Sequence, residues 1–396
     1  MTDWPVKTLG QVCDLVNGAT PDTKVKDYWG GKHAWITPAE MGGLDSPFLS
    51  ISRRTLSDKG LASCSATLVP PKTVILSSRA PIGHLVINEV PMATNQGCKS
   101  LIPKDGLDFS FLYYYLKSNV EVLESLGTGT TFKELSGTQL KTVEIPVPPL
   151  EEQKRIVELL DAATARVAEL TTCYEQARTH ANNLFASALS DALGSNSDWP
   201  VKTLGEIGSI KGGKRLPKGT PWSSVKTAHP YIRATDIREG EVRTDNLVFV
   251  PEEIWPVISH YTVKEGDVLI TIAGTIGSIA VVSKELAGAN LTENAAKVTN
   301  LVDVKPSYLS CFLRSAEVRD LLESLATTTT QAKLALFRIE SIKIPVPPLD
   351  EQKHIVARLD SMRAKTSEMV AAYDAKLTAA KNLRQSILEA AFTGEL

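Results

Sequence analysis

Apolar residues recur at alternating steps of four and three along two long segments of the chain, residues 156–188 and 355–387. This period of 3.5 residues is typical of the seam of a coiled coil. Each segment follows a proline-rich stretch that proline holds extended, and acidic residues suited to a helix N-terminus come next. The pattern therefore predicts two helices of roughly 40 residues, or about 60 Å each. The predicted seam residues are Ile156, Leu160, Val167, Leu170, Tyr174, Leu184, Ile355, Leu359, Met362, Met369, Tyr373, Leu383 and Ile387.

Helices of this length cannot bury their apolar stripes against a small domain alone. We expect the two helices to pair as an antiparallel coiled coil, because one follows each half of the chain and their seams match. That arrangement would hold the two globular parts at opposite ends. The alternative is that each helix folds back separately onto its own domain.

The chain is a duplicate of itself. Trp-Pro-Val-Lys-Thr-Leu-Gly occurs at 4–10 and again at 199–205, and Ile-Pro-Val-Pro-Pro-Leu-Glu-Glu-Gln at 145–153 returns at 344–352 with Asp in place of the first Glu. The period is far above the 20 to 50 residues of solenoid repeats, so each copy is a whole domain followed by a long helix. The predicted domains are 1–149, helix segment 150–198, 199–348 and helix segment 349–396.

Both globular segments mix the two kinds of secondary structure. Residues 74–77, 84–87, 268–272 and 278–282 are short, β-branched and bounded by Gly or Pro, which predicts strands. Residues 109–125 and 306–324 have helical spacing of leucines. The predicted fold class is α+β, with two mixed α/β domains alternating with two paired long helices in an internal pseudo-twofold duplication.

Composition excludes several classes of protein. The 396 residues carry 43 Lys and Arg against 45 Asp and Glu, a net charge of −2, so the chain has no histone-like excess of positive charge. Five cysteines at wide spacings do not form a disulfide framework or a zinc motif. The longest nearly apolar stretch, 272–282, is shorter than the ~18 residues of a membrane span. We expect a cytoplasmic protein with no membrane association.

The motifs of common catalytic sites are missing from the sequence. Gly31-Lys32 and Gly213-Lys214 lack the hydroxyl residue of a phosphate-binding P-loop, and no His-Glu-x-x-His is present. The segment 127–132 ends in Phe132 where a dinucleotide fingerprint needs Gly. We therefore predict no catalytic residue and no metal ligand, although an enzyme with an unrecognised site stays possible.

Charge is unevenly distributed along the chain. The first helix segment has eight acidic and four basic residues, while the globular segments are nearly balanced. Basic residues cluster in the Gly-rich loop 211–218, and such loops suit phosphates. A solvated charged surface would explain any single cluster equally well.

Several motifs carry a resemblance to a known family. They are Trp-Ile-Thr-Pro-Ala-Glu at 35–40, Arg-Ala-Pro-Ile-Gly at 79–83, Thr-Asn-Gln-Gly at 94–97, the Gly-Thr segment 127–132, and the twofold Pro-Pro-Leu-x-Glu-Gln before each helix. The chain resembles the specificity subunit of type I restriction-modification systems, in which two target recognition domains alternate with two long spacer helices. The second copy departs from these motifs at 231–236, 274–277, 293–296 and 327–330.

This resemblance implies a role in DNA recognition. Each recognition domain would read one half of an asymmetric, bipartite target in double-stranded DNA, with half-sites about one helical turn apart, or ~34 Å. The helices would set the gap and dock two methyltransferase (M) subunits, which use S-adenosylmethionine for adenine-N6 methylation, and restriction (R) subunits would join separately. The chain itself would bind no cofactor and be non-catalytic. The competing hypothesis is a non-DNA protein-interaction scaffold of two domains spaced by a coiled coil.

Candidate DNA contacts follow from position in turns. Arg79 could instead be an ion-pair partner, Asn95 and Gln96 could cap turns, and the Thr runs could be plain loop. Lys and Arg would supply the salt-dependent contacts to phosphates, and Arg, Asn, Gln and Thr would supply hydrogen bonds to base edges. The predicted DNA-binding residues are Arg79, Asn95, Gln96, Thr128, Thr130, Thr131, Lys133, Lys214, Arg215, Lys218, Arg233, Thr328, Thr329 and Lys333.

Overall fold

The computed structural model describes residues 4–44, 46–79, 81–129, 133–194, 198–326 and 333–393. The chain forms two compact units. Unit 1 is Met1–Tyr174 with Ala375–Leu396, and unit 2 is Glu175–Asp374. The division falls in the middle of each long helix, so each unit contains one globular domain and part of both helices.

The first copy of the repeat begins with short elements and ends in a long helix. Its strands are β1 (Val6–Thr8), β2 (Cys13–Asn17), β3 (Trp29–Ile36), β4 (Phe48–Leu49), β5 (Arg54–Leu56), β6 (Val74–Ser78), β7 (Ile82–Asn88), β8 (Met92–Thr94), β9 (Cys98–Pro103) and β10 (Glu144–Pro146). Its helices are α1 (Leu9–Val12), α2 (Pro38–Met41), α3 (Asp58–Ala62), α4 (Phe109–Ser118), α5 (Val120–Leu126), α6 (Gly137–Thr142) and the long α7 (Leu150–Gly194).

The second copy follows the same plan. Its strands are β11 (Val201–Thr203), β12 (Ser209–Gly212), β13 (Pro230–Ile232), β14 (Ile237–Arg238), β15 (Glu241–Val242), β16 (Val248–Phe249), β17 (Val268–Thr271), β18 (Ile279–Val281), β19 (Asn290–Leu291), β20 (Ala295–Thr299) and β21 (Lys343–Pro345). Its helices are α8 (Leu204–Ile207), α9 (Trp255–Ile258), α10 (Pro306–Leu313), α11 (Ala316–Ser324), α12 (Leu336–Glu340) and the long α13 (Leu349–Thr393).

Each domain contains a main sheet and a smaller three-stranded sheet. In unit 1 the strand orders are β2-β9-β6-β7-β4 and β5-β3-β8, and in unit 2 they are β12-β20-β17-β18 and β16-β13-β19. The strands predicted at 74–77, 84–87, 268–272 and 278–282 are confirmed as β6, β7, β17 and β18. β6 and β17 are buried along their whole length, and each begins with three consecutive apolar residues.

The two sequence anchors of the repeat pair with each other. β1 forms an antiparallel ladder with β10, in which Thr8 lies opposite Glu144, and β11 pairs in the same way with β21, where Thr203 lies opposite Lys343. The ladder therefore closes each domain immediately before its long helix. This explains why the repeat preserves its ends while its middle varies.

The glutamine of the Pro-Pro-Leu-x-Glu-Gln motif locks each long helix to its domain. Gln352 is fully buried; its Nε2 donates to the carbonyls of Asp303 and Pro347, both at 2.8 Å, and its Oε1 accepts from the backbone N–H of Lys305 at 2.8 Å. Gln153 makes the corresponding three bonds in unit 1, to Gly106 O, Pro148 O and Asp108 N. A motif first noticed as a repeat is thus a hydrogen-bonding clamp.

Both long helices contribute to the core of each unit. In unit 1 the buried core includes Ile156 and Leu160 near the start of α7 together with Leu388 and Ala391 near the end of α13. In unit 2 it includes Ile355 and Leu359 with the end of α7, Leu189, Ala192 and Leu193. The start of one helix lies with the end of the other, so the helices run antiparallel, as predicted.

The predicted seam is wrong at three positions. Leu184, Met369 and Leu383 are 45%, 40% and 48% exposed. An α-helix drifts by about 20° per heptad from a strict 3.5-residue repeat, which over the four heptads from Ile156 to Leu184 approaches the step of one residue. The buried stripe accordingly shifts to Leu189 and Leu388, one residue beyond the predicted phase.

This shift predicts unequal effects of the same truncation. Leu388→Ala should lower the free energy of unfolding by about 2–4 kcal/mol, because it opens a cavity in the unit 1 core. Leu383→Ala, five residues away on the same helix, should change it by less than about 0.5 kcal/mol. Chemical denaturation of both variants measures the difference. Equal losses of stability would show that Leu383 belongs to the buried seam as predicted from the 3.5-residue period.

The two predicted domain helices, 109–125 and 306–324, are each split. α4 ends at Ser118, Asn119 Nδ2 donates to the carbonyl of Tyr115, and α5 begins at Val120. The second break lies at Ser315, whose Oγ caps the start of α11. Polar side chains that bond to nearby backbone groups compete with helical hydrogen bonds, and leucine spacing does not register this effect.

The described residues include no helix that is long and apolar enough to span a membrane. They also contain no group of three His, Cys, Asp or Glu side chains placed to hold a metal ion.

Candidate nucleic-acid interface

Arg79 lies at the end of β6, in the main sheet of unit 1. Its backbone forms a bridge with Glu134, and the next residue, Leu135, donates to the carbonyl of Ser78 at 2.9 Å. Thr128 pairs through both backbone bonds with Glu134, at 3.0 and 2.9 Å. The segment before α6 is therefore fastened to the end of β6, which brings Arg79, Thr128 and the adjacent Lys133 together.

The Arg79 guanidinium faces a carboxylate. Its Nη1 lies 3.7 Å from Glu134 Oε2, and the two side chains are 35% and 45% exposed. The ion pair considered for Arg79 is thus present in the structure. An ion pair this long and this exposed contributes little stability, so the guanidinium can leave Glu134 for another partner at low cost.

The turn between β8 and β9 places Asn95 and Gln96 at the same end of the sheet. Asn95 Oδ1 accepts from the backbone N–H of Gly97 at 2.8 Å, which is the turn-capping role weighed above. Gln96 is exposed, and its Oε1 accepts from Thr20 Oγ1. A Cβ on Gly97 would lie 3.3 Å from Arg79 Cγ, so this close approach favours glycine.

Sequence reasoning missed Lys99 as part of this cluster. The residue is 7% exposed on β9, where it lies opposite Leu76 of β6. Burial lowers the pKa of its ammonium, while the Glu134 carboxylate raises it and the Arg79 guanidinium lowers it. The signal available beforehand was a lysine inside an apolar strand pattern two residues after the Thr-Asn-Gln-Gly motif.

In unit 2, three predicted cations line one cavity of about 600 Å³. They are Arg215, Lys218 and Arg233, and Trp222 and Tyr231 supply an aromatic wall with ring centroids 4.8 Å apart. Arg215 Nε lies 3.6 Å from Glu293 Oε1, and its side chain is largely exposed. The Arg and Lys side chains of this cavity suit the phosphates of a nucleic acid, although Glu293 also contributes one carboxylate to its lining.

Arg233 has a structural role within this cavity. Its guanidinium donates to both carboxylate oxygens of Asp236, at 3.0 and 2.8 Å, and to the carbonyl of Asn246 at 2.7 Å. The hydrogen bonds to Asp236 raise the pKa of Arg233. The predicted residue Lys214 has its Nζ 5.9 Å from the ring centroid of Tyr261.

Lys333 corresponds to Glu134 and not to Lys133. It forms a backbone bridge with Ala273, and Leu334 donates to the carbonyl of Ile272 at 2.9 Å, as Leu135 does to Ser78. Position 79 of unit 1 is thus matched by Ala273 and position 134 by Lys333. The two domains place different charges at the same site on the same backbone frame.

A second cavity of about 1040 Å³ adjoins the first in unit 2, since both are lined by Ala234, Thr235 and Asn294. Ala273 and Arg314 also line it, and burial lowers the pKa of Arg314. The predicted residues Thr130, Thr131, Thr328 and Thr329 lie outside the described residues.

Comparison with known proteins identifies the family. Residues 1–176 and 196–379 both match the family model described as the type I restriction modification DNA specificity domain. The chain belongs to this family. Its two matches coincide with the two copies of the internal repeat, so the resemblance read from the motifs is confirmed.

Several type I specificity subunits are similar to this chain over most of its length. The MjaIX specificity subunit of Methanocaldococcus jannaschii is 28% identical over 100% of this chain and 94% of its own length. The EcoBI specificity subunit of Escherichia coli is 26% identical over 83% of this chain and 74% of its own length.

Solved structures of the family share the fold. A chain from a type I R-M system is similar with a TM-score of 0.79 and 22% identity, covering 99% of this chain and 98% of that one. The HsdS subunit from Thermoanaerobacter tengcongensis gives a TM-score of 0.62 at 22% identity, covering 99% and 97%. The predicted fold class, two mixed domains alternating with paired long helices, is confirmed.

Proposed function

We propose that each globular domain of this specificity subunit reads one half of an asymmetric, bipartite target in double-stranded DNA, while the two long helices set the gap between the halves. The observation that carries the proposal is one frame with two different sites. Arg79 and Glu134 in unit 1 are replaced by Ala273 and Lys333 in unit 2, on matching strand ends. Dissimilar charges on a common scaffold are suited to two dissimilar half-sites.

The partners follow from this division of labour. The helices would dock two methyltransferase subunits that carry S-adenosylmethionine, and restriction subunits would join the full complex. Methylation of an adenine requires that the base be flipped into a catalytic pocket. That pocket would belong to the methyltransferase, so this chain contributes placement on DNA and leaves the chemistry to its partners.

Salt dependence tests the DNA proposal against the scaffold alternative. In complex with its methyltransferase partner, the chain should bind duplex DNA with an association constant whose logarithm falls linearly with the logarithm of salt concentration, by a slope of about −0.9 for each neutralised phosphate. Fluorescence anisotropy over a salt series measures the slope. Binding that is absent or indifferent to salt would favour the protein-interaction scaffold.

A pair of lysine variants localises the contact. Lys218→Ala, at the rim of the 600 Å³ cavity, should reduce the magnitude of the slope by about 1. Lys284→Ala is the matched control. This exposed lysine comes just after β18, at the open end of the β17–β18 hairpin, whereas Ala273 lies at the turn. Equal slopes for the two variants would remove the cavity from the interface.

A further inference from the structure

Glu134 carries a negative charge at a surface where the neighbouring cations should bind DNA phosphates. It lies among Arg79, Lys99 and Lys133, at the end of the sheet where the candidate DNA contacts of unit 1 gather. Its Oε2 is 3.7 Å from Arg79 Nη1, and in the described part of the chain no other carboxylate lies within 4 Å of that guanidinium. Half or more of protein–DNA hydrogen bonds go to phosphates, which carry the same charge as Glu134.

A carboxylate beside an arginine treats the two kinds of DNA acceptor differently. A phosphate that approached Arg79 would be repelled by Glu134 and would have to compete with it for the guanidinium. A guanine edge presents O6 and N7, acceptors without a net charge, which the carboxylate repels much less. The carboxylate thus penalises a phosphate contact more than a base contact, and discrimination can be built from such repulsive elements.

We propose that Glu134 is a specificity-determining residue of the first recognition domain, because its carboxylate reserves the Arg79 guanidinium for a neutral base edge and repels phosphate. The inference rests on the proposed function and concerns the first half-site alone. In unit 2 the corresponding positions are Lys333 and Ala273, so this arrangement is not repeated there. The backbone bridge between Arg79 and Glu134 holds the two residues side by side.

The direct test is Glu134→Gln, which removes the charge and keeps the shape. The methylated sequence of the host genome defines the target; one duplex then carries that target and a second carries it with the first half scrambled. For the complex with its methyltransferase partner, the variant should bind the scrambled duplex about threefold to tenfold more tightly, with a salt slope steeper by about 0.9. Affinity for the intact target should change by less than about threefold, so the ratio of the two affinities falls.

Two further variants isolate the cause. Glu89→Gln makes the same change of net charge at the opposite end of the β6–β7 hairpin, and it should leave the ratio of affinities unchanged. In an Arg79→Ala background, Glu134→Gln should no longer alter that ratio. An unchanged ratio in Glu134→Gln, or an equal change in Glu89→Gln, overturns the inference.

The wild-type complex separates this inference from the proposed function. If the wild type binds neither duplex, the DNA-reading function itself fails. If it prefers the intact target and Glu134→Gln prefers it equally, the function stands and only the role of Glu134 is lost.

Discussion

Replacing residues 9–143 by residues 204–342 of the same chain is expected to give a complex that methylates a symmetric target, in which the second half-site is present twice as an inverted repeat. Both cut points lie between residues that pair across a ladder, Thr8 with Glu144 and Thr203 with Lys343. The grafted ends are therefore held side by side, as they are in the parent domain.

The helices should accept either domain, because most of their buried core residues are identical in the two copies, the exception being Leu193 where unit 1 has Phe392. Ile156 and Leu160 of unit 1 correspond to Ile355 and Leu359 of unit 2, and Leu388 and Ala391 correspond to Leu189 and Ala192. The clamp is also transferable, since Gln153 and Gln352 bind backbone atoms of the domain and no particular side chain. Packing and hydrogen bonding at the junction are thus preserved.

Mapping of N6-methyladenine in cells that express the exchanged chain measures the outcome. The reverse exchange, residues 9–143 in place of 204–342, is the matched control and should duplicate the first half-site instead. A methylated sequence in which both halves are new would contradict independent recognition. An unchanged asymmetric target would show that the exchanged segments do not carry the specificity.

Local sequence signals predicted the frame of this molecule well. The prolines before Leu150 and Leu349 and the apolar period behind them act over neighbouring residues, so the long helices could be placed from the sequence. The phase of the seam was lost at Leu184 and Leu383, because small departures from 3.5 residues accumulate over a long helix. The long helices were predictable because their signals are local, whereas the phase of the seam was not predictable over their full length.

The candidate site was only partly predictable, because its members are joined by sheet pairing across distant segments. Arg79, Asn95 and Thr128 could be selected as turn residues, but no sequence pattern indicated Glu134 as a neighbour of Arg79. The only sequence signal for Lys99 was its position inside an apolar strand pattern. Arg233 has a structural role that its basic charge did not indicate, because its guanidinium is held by Asp236 and a carbonyl. Its contact with DNA stays a prediction.

Gln352→Leu is expected to lower the free energy of unfolding of unit 2 by about 3 kcal/mol, since it leaves three buried backbone groups without their partner. Leucine fits the volume, so the loss reports the missing hydrogen bonds more than a cavity.

Hydrogen–deuterium exchange should show reduced protection in α10, which begins next to Lys305, and unchanged protection in α4 of unit 1. Gln153→Leu should give the mirror result, and the exposed neighbour Lys353→Leu should change stability by under about 0.5 kcal/mol. Loss of protection in both units from Gln352→Leu alone would mean that the clamp is not local to its domain.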